Sequence, residues 1–223
     1  MKKFKIKSYC KINLSLRVIK KLNSGYHNIL SLITFGNVYD IITISKIKNR
    51  KDKIDFSGQF KTGINKKLNT VTKVLNLLRK KKLLNNQTFK INIKKNIPHG
   101  SGLGGGSSNA ADLLNFLNLK MRLRLNKEKL IQLGSHIGFD VPINLEKKNA
   151  FLTGKSNEML RFNKKFKLNI LIVFPNFICS TKKIYEKNRK LSSRIPVSSF
   201  CVGNKRKLIN FLKREGNDLE KTT

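Results

Sequence analysis

Between Pro98 and Ala111 the chain reads PHGSGLGGGSSNAA, with five glycines and the Ser107-Ser108 pair set between a strand-like and a helix-like run. Ahead of it Phe89, Ile91 and Ile93 alternate with polar neighbours. Behind it Ala110, Ala111, Leu113, Leu114 and Leu117 recur at helical spacing and predict a helix over Ser107 to Leu119. Glycine accepts backbone angles that a β-carbon forbids and lets a ligand come close to the main chain, so consecutive N–H groups can turn inward on an anion. The following helix presents its free first-turn amides and the positive end of its dipole to the same place. A loop of this kind binds phosphate.

The flanking residues separate the known phosphate-loop chemistries. A Walker-type loop ends in Gly-Lys-Ser/Thr, whereas Gly106 is followed by Ser107. A dinucleotide fingerprint can be traced through Gly100, Gly102 and Gly105, but it requires an acid at the end of a following strand. The nearest acid, Glu128, lies in NKEKLIQLGSHIG, whose Leu130, Leu133 and Ile137 read as a second helix. A plain glycine linker explains neither Pro98 nor the paired serines.

At 223 residues the chain is long enough to bury a core in one large or two modest domains. Cys10, Cys179 and Cys201 form an odd, widely spaced set without CxxC, which argues against a disulfide framework and a zinc site and suits a reducing cytoplasm. The start MKKFKIKSYCKINL has lysines between its apolar residues, so it does not read as a signal peptide, and Ile170 to Phe174 is too short to span a membrane. The net charge of +36 raises the question of a nucleic-acid partner. The lysines are spread from Lys2 to Lys221 without an aromatic-interleaved RNA-binding signature, so no specific nucleic acid and no membrane is expected. Salt-sensitive sticking to polyanions is the expected consequence of the charge.

Phe4 to Val18 alternates as one long strand or two, Asn23-Ser24-Gly25 is a turn, and Tyr39 to Ile47 alternates again. Lys53 to Phe56 is expected to pair with that last strand. A helix follows from about Asn69, with Val71, Val74, Leu75 and Leu78 on one side and a basic end at Arg79 to Lys82. A further helix over Asn126 to Ile137 is closed by Gly138, which leaves Asp140 just beyond it. Ala150 to Thr153 and Phe166 to Phe174 read as strands, and a helical region starts at Ser180. Strands and helices without strict βαβ alternation predict an α+β fold with helices on one face of a largely antiparallel sheet.

Pro98, Gly102, Leu103, Gly104, Ser107, Ser108 and Ala111, with two extra glycines, approach the pattern P-x-x-x-G-L-G-S-S-x-A of the GHMP small-molecule kinases. SYCKINLSL from Ser8, SGYHN from Ser24 and GFDVP from Gly138 follow the order and approximate separations of one branch of that family. The resemblance spans most of the chain. It implies a two-subdomain fold whose N-terminal part is like the ribosomal protein S5 domain 2-like fold, with residues 1–163 as an ATP-binding domain and 164–223 as an incomplete C-terminal one. It implies phosphorylation of a tertiary hydroxyl on a cytidine-diphosphate-linked methylerythritol, in the non-mevalonate route to isoprenoids. The alternatives are another alcohol-phosphorylating member of the family and a basic RNA-binding module of related fold.

The resemblance also distributes roles. ATP is expected at Pro98, His99, Gly100, Ser101, Gly102, Leu103, Gly104, Gly105, Gly106, Ser107 and Ser108, with Asn69 and Lys95 around the adenine nucleotide. Mg2+ is expected with the nucleotide, its protein ligands unknown. Asp140 lies between Gly138 and Pro142 in a chain with only 12 acids; by position it reads as a turn or capping residue, and by resemblance it is the catalytic base with Lys11 as its partner. Asn13, Tyr26, His27 and Thr181 fall on the acceptor side. The family's third glycine-rich motif does not occur before GNDLEKTT, so a shortened protein with an exposed apolar sheet surface in its second half and poor turnover is expected.

Overall fold

Alternating apolar and polar residues carry two long strands, β1 (Lys3–Lys21) and β2 (His27–Ile47), joined by a tight turn in which Gly25 takes a positive φ of 80°. They are seen in a computed structural model, which describes residues 2–23, 25–154, 158–163, 168–175, 181–196 and 204–222, the Lys182 side chain excepted. The chain groups into two compact units, Met1–Lys11 with Gly36–Glu146, and Ile12–Phe35 with Lys147–Thr223, and both long strands contribute to each.

In the first unit, β2 pairs antiparallel with β4 (Thr88–Lys94), setting Ile42 opposite Ile93 and Ile44 opposite Ile91. The short β3 (Lys53–Ser57) pairs with β4, in parallel, and not with β2 as its sequence position suggested. Parallel neighbours need a long connection, and α1 (Thr70–Lys80) supplies it, so β4 takes the place between β3 and β2. Helices α1, α2 (Gly105–Lys120) and α3 (Lys127–Ile137) bury one core against these strands, with Val74, Leu75, Leu78, Leu113, Leu117 and Leu133 meeting Ile42, Ile44, Phe89, Ile91 and Ile93. Asn69 caps α1 by accepting from the Thr72 amide, and Asn126 caps α3 in the same way through Lys129. Helix α2 starts at Gly105, two residues ahead of the expected Ser107, because Gly104 in the left-handed conformation ends the loop there. After α3, Gly138 leads into the single turn α4 (Val141–Asn144), with Asp140 at its N-cap position.

In the second unit, β2 pairs with β5 (Ala150–Leu152) and β5 with β6 (Met159–Arg161). Helices α5 (Thr181–Lys187) and α6 (Lys205–Glu215) follow, and Leu208 and Phe211 of α6 join Leu30, Leu32 and Phe151 in its core. The strand expected over Phe166 to Phe174 is not formed by its described part, Leu168 to Phe174, where Leu171 is 88% and Val173 78% exposed. Its alternate residues Leu168, Ile172 and Phe174 are only half-buried, Leu168 against the core of this unit. Leu160 and Leu191 are exposed as well. Phe166, Lys167, Ser180, Cys179 and Cys201 lie outside the described residues. Cys10 is a free, buried thiol, and burial pushes its pKa up.

Asp218 ties the chain's last described turns to β1. Its buried carboxylate accepts from the Val18 amide at 2.9 Å and pairs with Lys190 at 2.7 Å. Burial pushes its pKa up, but hydrogen bonds from Lys190, Ser192 and Val18 outweigh that and hold it below its ordinary value of 3.8. A depressed carboxylate stabilises the fold above its unfolded pKa, and the contribution is lost as the pH falls through the folded one. Thermal unfolding of Asp218→Asn is therefore expected to show a stability gap to wild type that is full at neutral pH and closes in acid; a gap constant across that range contradicts the assignment.

Candidate active site

The glycine loop leaves the end of β4 and turns through three left-handed glycines, Gly100, Gly102 and Gly104, at φ of 70°, 74° and 66°. Alternate positive φ values fold a short chain back on itself and aim successive amides to one side. Gly104 caps α2 without a side chain, so no side chain is spent on the first-turn amides of the helix. The loop is fastened at several points. Lys11 N–H donates to the Leu103 carbonyl at 2.9 Å, Ser108 Oγ to the Tyr9 carbonyl at 2.7 Å, Thr70 Oγ1 to the Gly106 carbonyl at 2.7 Å and Ser101 Oγ to the Pro98 carbonyl at 2.8 Å. Ser108 thus spends its buried hydroxyl on β1, while Ser107 is half-buried and Gly102 and Gly106 are exposed. Pro98 is buried and His99 exposed.

Lys11 is the hinge between this loop and Asp140. A Cβ placed on Gly104 would stand 3.3 Å from both Cβ and Cε of Lys11, so the bare glycine is what lets the lysine lie against the turn. Its Nζ reaches Asp140 Oδ2 at 3.3 Å, with 6% of the lysine side chain and 44% of the aspartate side chain exposed. Asp140 makes no side-chain cap for α4, and its backbone carbonyl accepts from Asn144 Nδ2 at 2.6 Å. A carboxylate half open to solvent, beside a buried ammonium and next to a turn of inward amides, can accept a proton from an alcohol while the ammonium steadies the oxygen. These groups all belong to the first unit.

The remaining candidates divide. Asn69 is occupied as the α1 cap, and its Nδ2 donates to the carbonyls of Asn65 and Lys66. Lys95 turns inward, 4% exposed, and pairs with the fully buried Asp40. Burial pulls the Lys95 pKa down and Asp40 opposes that pull. In the second unit Asn13 Nδ2 donates to Ser31 Oγ at 2.7 Å, Tyr26 is 51% exposed, and His27 stacks on Tyr185 at 5.2 Å between ring centres. Burial, then the charge of Lys21, lowers the His27 pKa, which keeps the imidazole neutral at neutral pH. Thr181 opens α5, the helix that carries Tyr185. Asp40, Asn109, Asn144 and Tyr185 were not singled out from sequence; Asp40, Asn109 and Tyr185 have partners far along the chain, and Asn144 bonds back to the Asp140 carbonyl four residues before it. Among the described residues no cluster of three or more His, Cys, Asp or Glu is placed to hold a metal, and no helix is long and apolar enough to cross a membrane.

Comparison with known proteins identifies the family. Residues 69–147, from the α1 cap past Asp140, match the GHMP kinases N terminal domain. A protein of Pelagibacter ubique named 4-diphosphocytidyl-2-C-methyl-D-erythritol kinase is 43% identical over 99% of this chain and 76% of its own length. One of Caldicellulosiruptor bescii with the same name is 36% identical over 82% of this chain and 63% of its own. This chain therefore spans about two thirds to three quarters of the length of those relatives. Among solved structures, a 4-(cytidine 5'-diphospho)-2C-methyl-D-erythritol kinase superposes with a TM-score of 0.70 at 23% identity, covering 98% of this chain and 76% of that one. A homoserine kinase from Cytophaga hutchinsonii gives 0.59 at 16%, covering 89% and 63%, and both show the same α+β fold. With 43% identity to the Pelagibacter protein over 99% of this chain, the chain belongs to the GHMP kinases, in the family of the 4-diphosphocytidyl-2-C-methyl-D-erythritol kinases.

Proposed function

We propose that this chain holds the triphosphate of ATP on the glycine loop and transfers the γ-phosphoryl group to the tertiary hydroxyl of 4-diphosphocytidyl-2-C-methyl-D-erythritol. The observation that carries the reading is the Lys11–Asp140 pair, set against the bare Gly104 turn that starts α2. Asp140 accepts the hydroxyl proton; the alcohol oxygen bonds to the γ-phosphorus as its bond to the bridging oxygen breaks, and ADP leaves. The Lys11 ammonium stabilises charge on the attacking oxygen. The amides of Gly105, Gly106 and Ser107 face the phosphates, and the Ser107 hydroxyl and phosphate oxygens suit a magnesium ion brought by the nucleotide. Magnesium screens phosphate charge when bound.

Asn13, Tyr26, His27 and Thr181 are assigned to the acceptor, the exposed Tyr26 ring as a platform for cytosine. Residues 1–163 form the nucleotide-binding division in this reading and 164–223 the opening of a second. The test is ADP release by the purified chain with ATP, magnesium and either the cytidylyl acceptor, homoserine, mevalonate or galactose. Release that requires the cytidylyl acceptor is expected. Release with another alcohol alone, or with none, contradicts the substrate assignment.

A further inference from the structure

Beneath the glycine loop lies a polar cluster that the mechanism above does not use. Asp40 is completely buried, and its carboxylate accepts four hydrogen bonds. Oδ1 takes the backbone amides of Asn96 at 2.8 Å and Ile97 at 2.9 Å. Oδ2 takes Asn109 Nδ2 at 3.0 Å and the Lys95 ammonium. About four acceptor sites is the capacity of a carboxylate, so Asp40 is saturated. Its partners come from two places. Asn96 and Ile97 are the residues through which β4 runs into the loop, and Asn109 is on α2, into which the loop runs.

The same two ends touch. A Cβ on Gly105 would lie 3.0 Å from Ile97 Cγ2 and 3.3 Å from Lys95 Nζ, so the first residue of α2 sits on the segment that Asp40 holds. The backbone at Lys95 is fastened from the other side, since its N–H donates to the Ser57 carbonyl at 2.7 Å and its carbonyl accepts from the Phe60 amide at 3.3 Å. Gly58, at φ +90°, leaves no room there for a side chain, as a Cβ would come within 2.6 Å of the Lys95 oxygen. Buried ion pairs are poor sources of net stability, and apolar replacements often serve a fold as well. What this one does that an apolar pair would not is bond both ends of one loop to a single carboxylate.

We propose that Asp40 is a positioning residue for nucleotide binding: it fixes the span between the two ends of the glycine loop, so that the loop amides are arranged before ATP arrives. The proposal rests on the loop's being the nucleotide site. Lys95 then serves the nucleotide from beneath the loop, as one of the four donors that hold the Asp40 carboxylate in place. Removing the anchor leaves the loop sampling several spans, and affinity falls by the fraction of molecules in the competent one.

The test compares wild type, Asp40→Ala and Asp40→Glu in ADP affinity and CDP affinity by calorimetry, with the melting temperature as a check of folding. Asp40→Ala is expected to weaken ADP binding at least about tenfold while CDP binding stays within about twofold. Asp40→Glu keeps the charge but moves the anchoring oxygens by one methylene, and is expected to show the same selective loss; it carries the test alone if the alanine variant does not fold. ADP affinity within about threefold of wild type in a folded variant, or equal losses for ADP and CDP, overturns the proposal. Wild type that binds CDP but no ADP overturns the nucleotide assignment of the loop itself.

Discussion

Replacing Asp140 by alanine is expected to lower turnover about a thousandfold, within the range that a positioned general base contributes, while ADP binding changes by less than about twofold. The carboxylate is 44% exposed, caps nothing with its side chain and pairs with Lys11 across 3.3 Å, so its removal leaves little of the fold unsupported. Asp140→Asn should lose nearly as much, because the amide keeps the shape and cannot take the proton. Lys11→Met should also lower turnover strongly, and by less than additively with Asp140→Ala, since in the proposed mechanism the two groups act on one oxygen. Single-turnover phosphoryl transfer at saturating ATP reads this directly. Turnover within tenfold of wild type for Asp140→Ala would remove it from the chemistry.

The second large effect falls on Gly104. At φ +66° a side chain is strained by roughly 1–2 kcal/mol, and the new atoms would also press on Lys11 at 3.3 Å. Gly104→Val is expected to reduce kcat/KM for ATP at least about a hundredfold, through displacement of both the loop and the lysine. Gly102 separates the two causes. It has a similar φ of +74° with nothing within 4 Å of a Cβ, so Gly102→Ala should cost the backbone strain alone, a loss of about tenfold or less. Equal losses at the two positions would show that contact with Lys11 is immaterial.

The parts legible in the sequence are those whose causes are local. The apolar-periodic run after Asn69 predicts a helix from about that residue, and α1 starts at Thr70 with Asn69 as its cap. The glycine cluster between Ile93 and Ala110 marks a strand–loop–helix unit, and β4 and α2 flank it. Pairings made across the chain left no such mark. β3 has five residues, too few to encode a register, and its neighbour was decided by the α1 crossover. Asp40 lies on the same face of β2 as the buried Ile42 and Ile44, but a single carboxylate there names no partner; its burial depends on amides and side chains from residues 95–97 and 109, which only the folded chain brings to it. Helix α6 was not expected although its signal was there: Leu208, Phe211 and Leu212 recur at helical spacing among the lysines and arginines, between the Asn204 cap and Gly216. Lys11 and Asp140 were pointed out by family motifs, and their 3.3 Å separation came from the fold.

In the proposed mechanism one turn of backbone amides holds the phosphates while Asp140 and Lys11 stand beside the group transferred. A crystal structure with a non-hydrolysable ATP analogue and magnesium tests it most directly. The β- and γ-phosphates are expected against the amides of Gly105, Gly106 and Ser107, with the Lys11–Asp140 pair facing the γ-phosphate. Phosphates bound away from Gly104 to Ser108, or a γ-phosphate turned from Asp140, would contradict it.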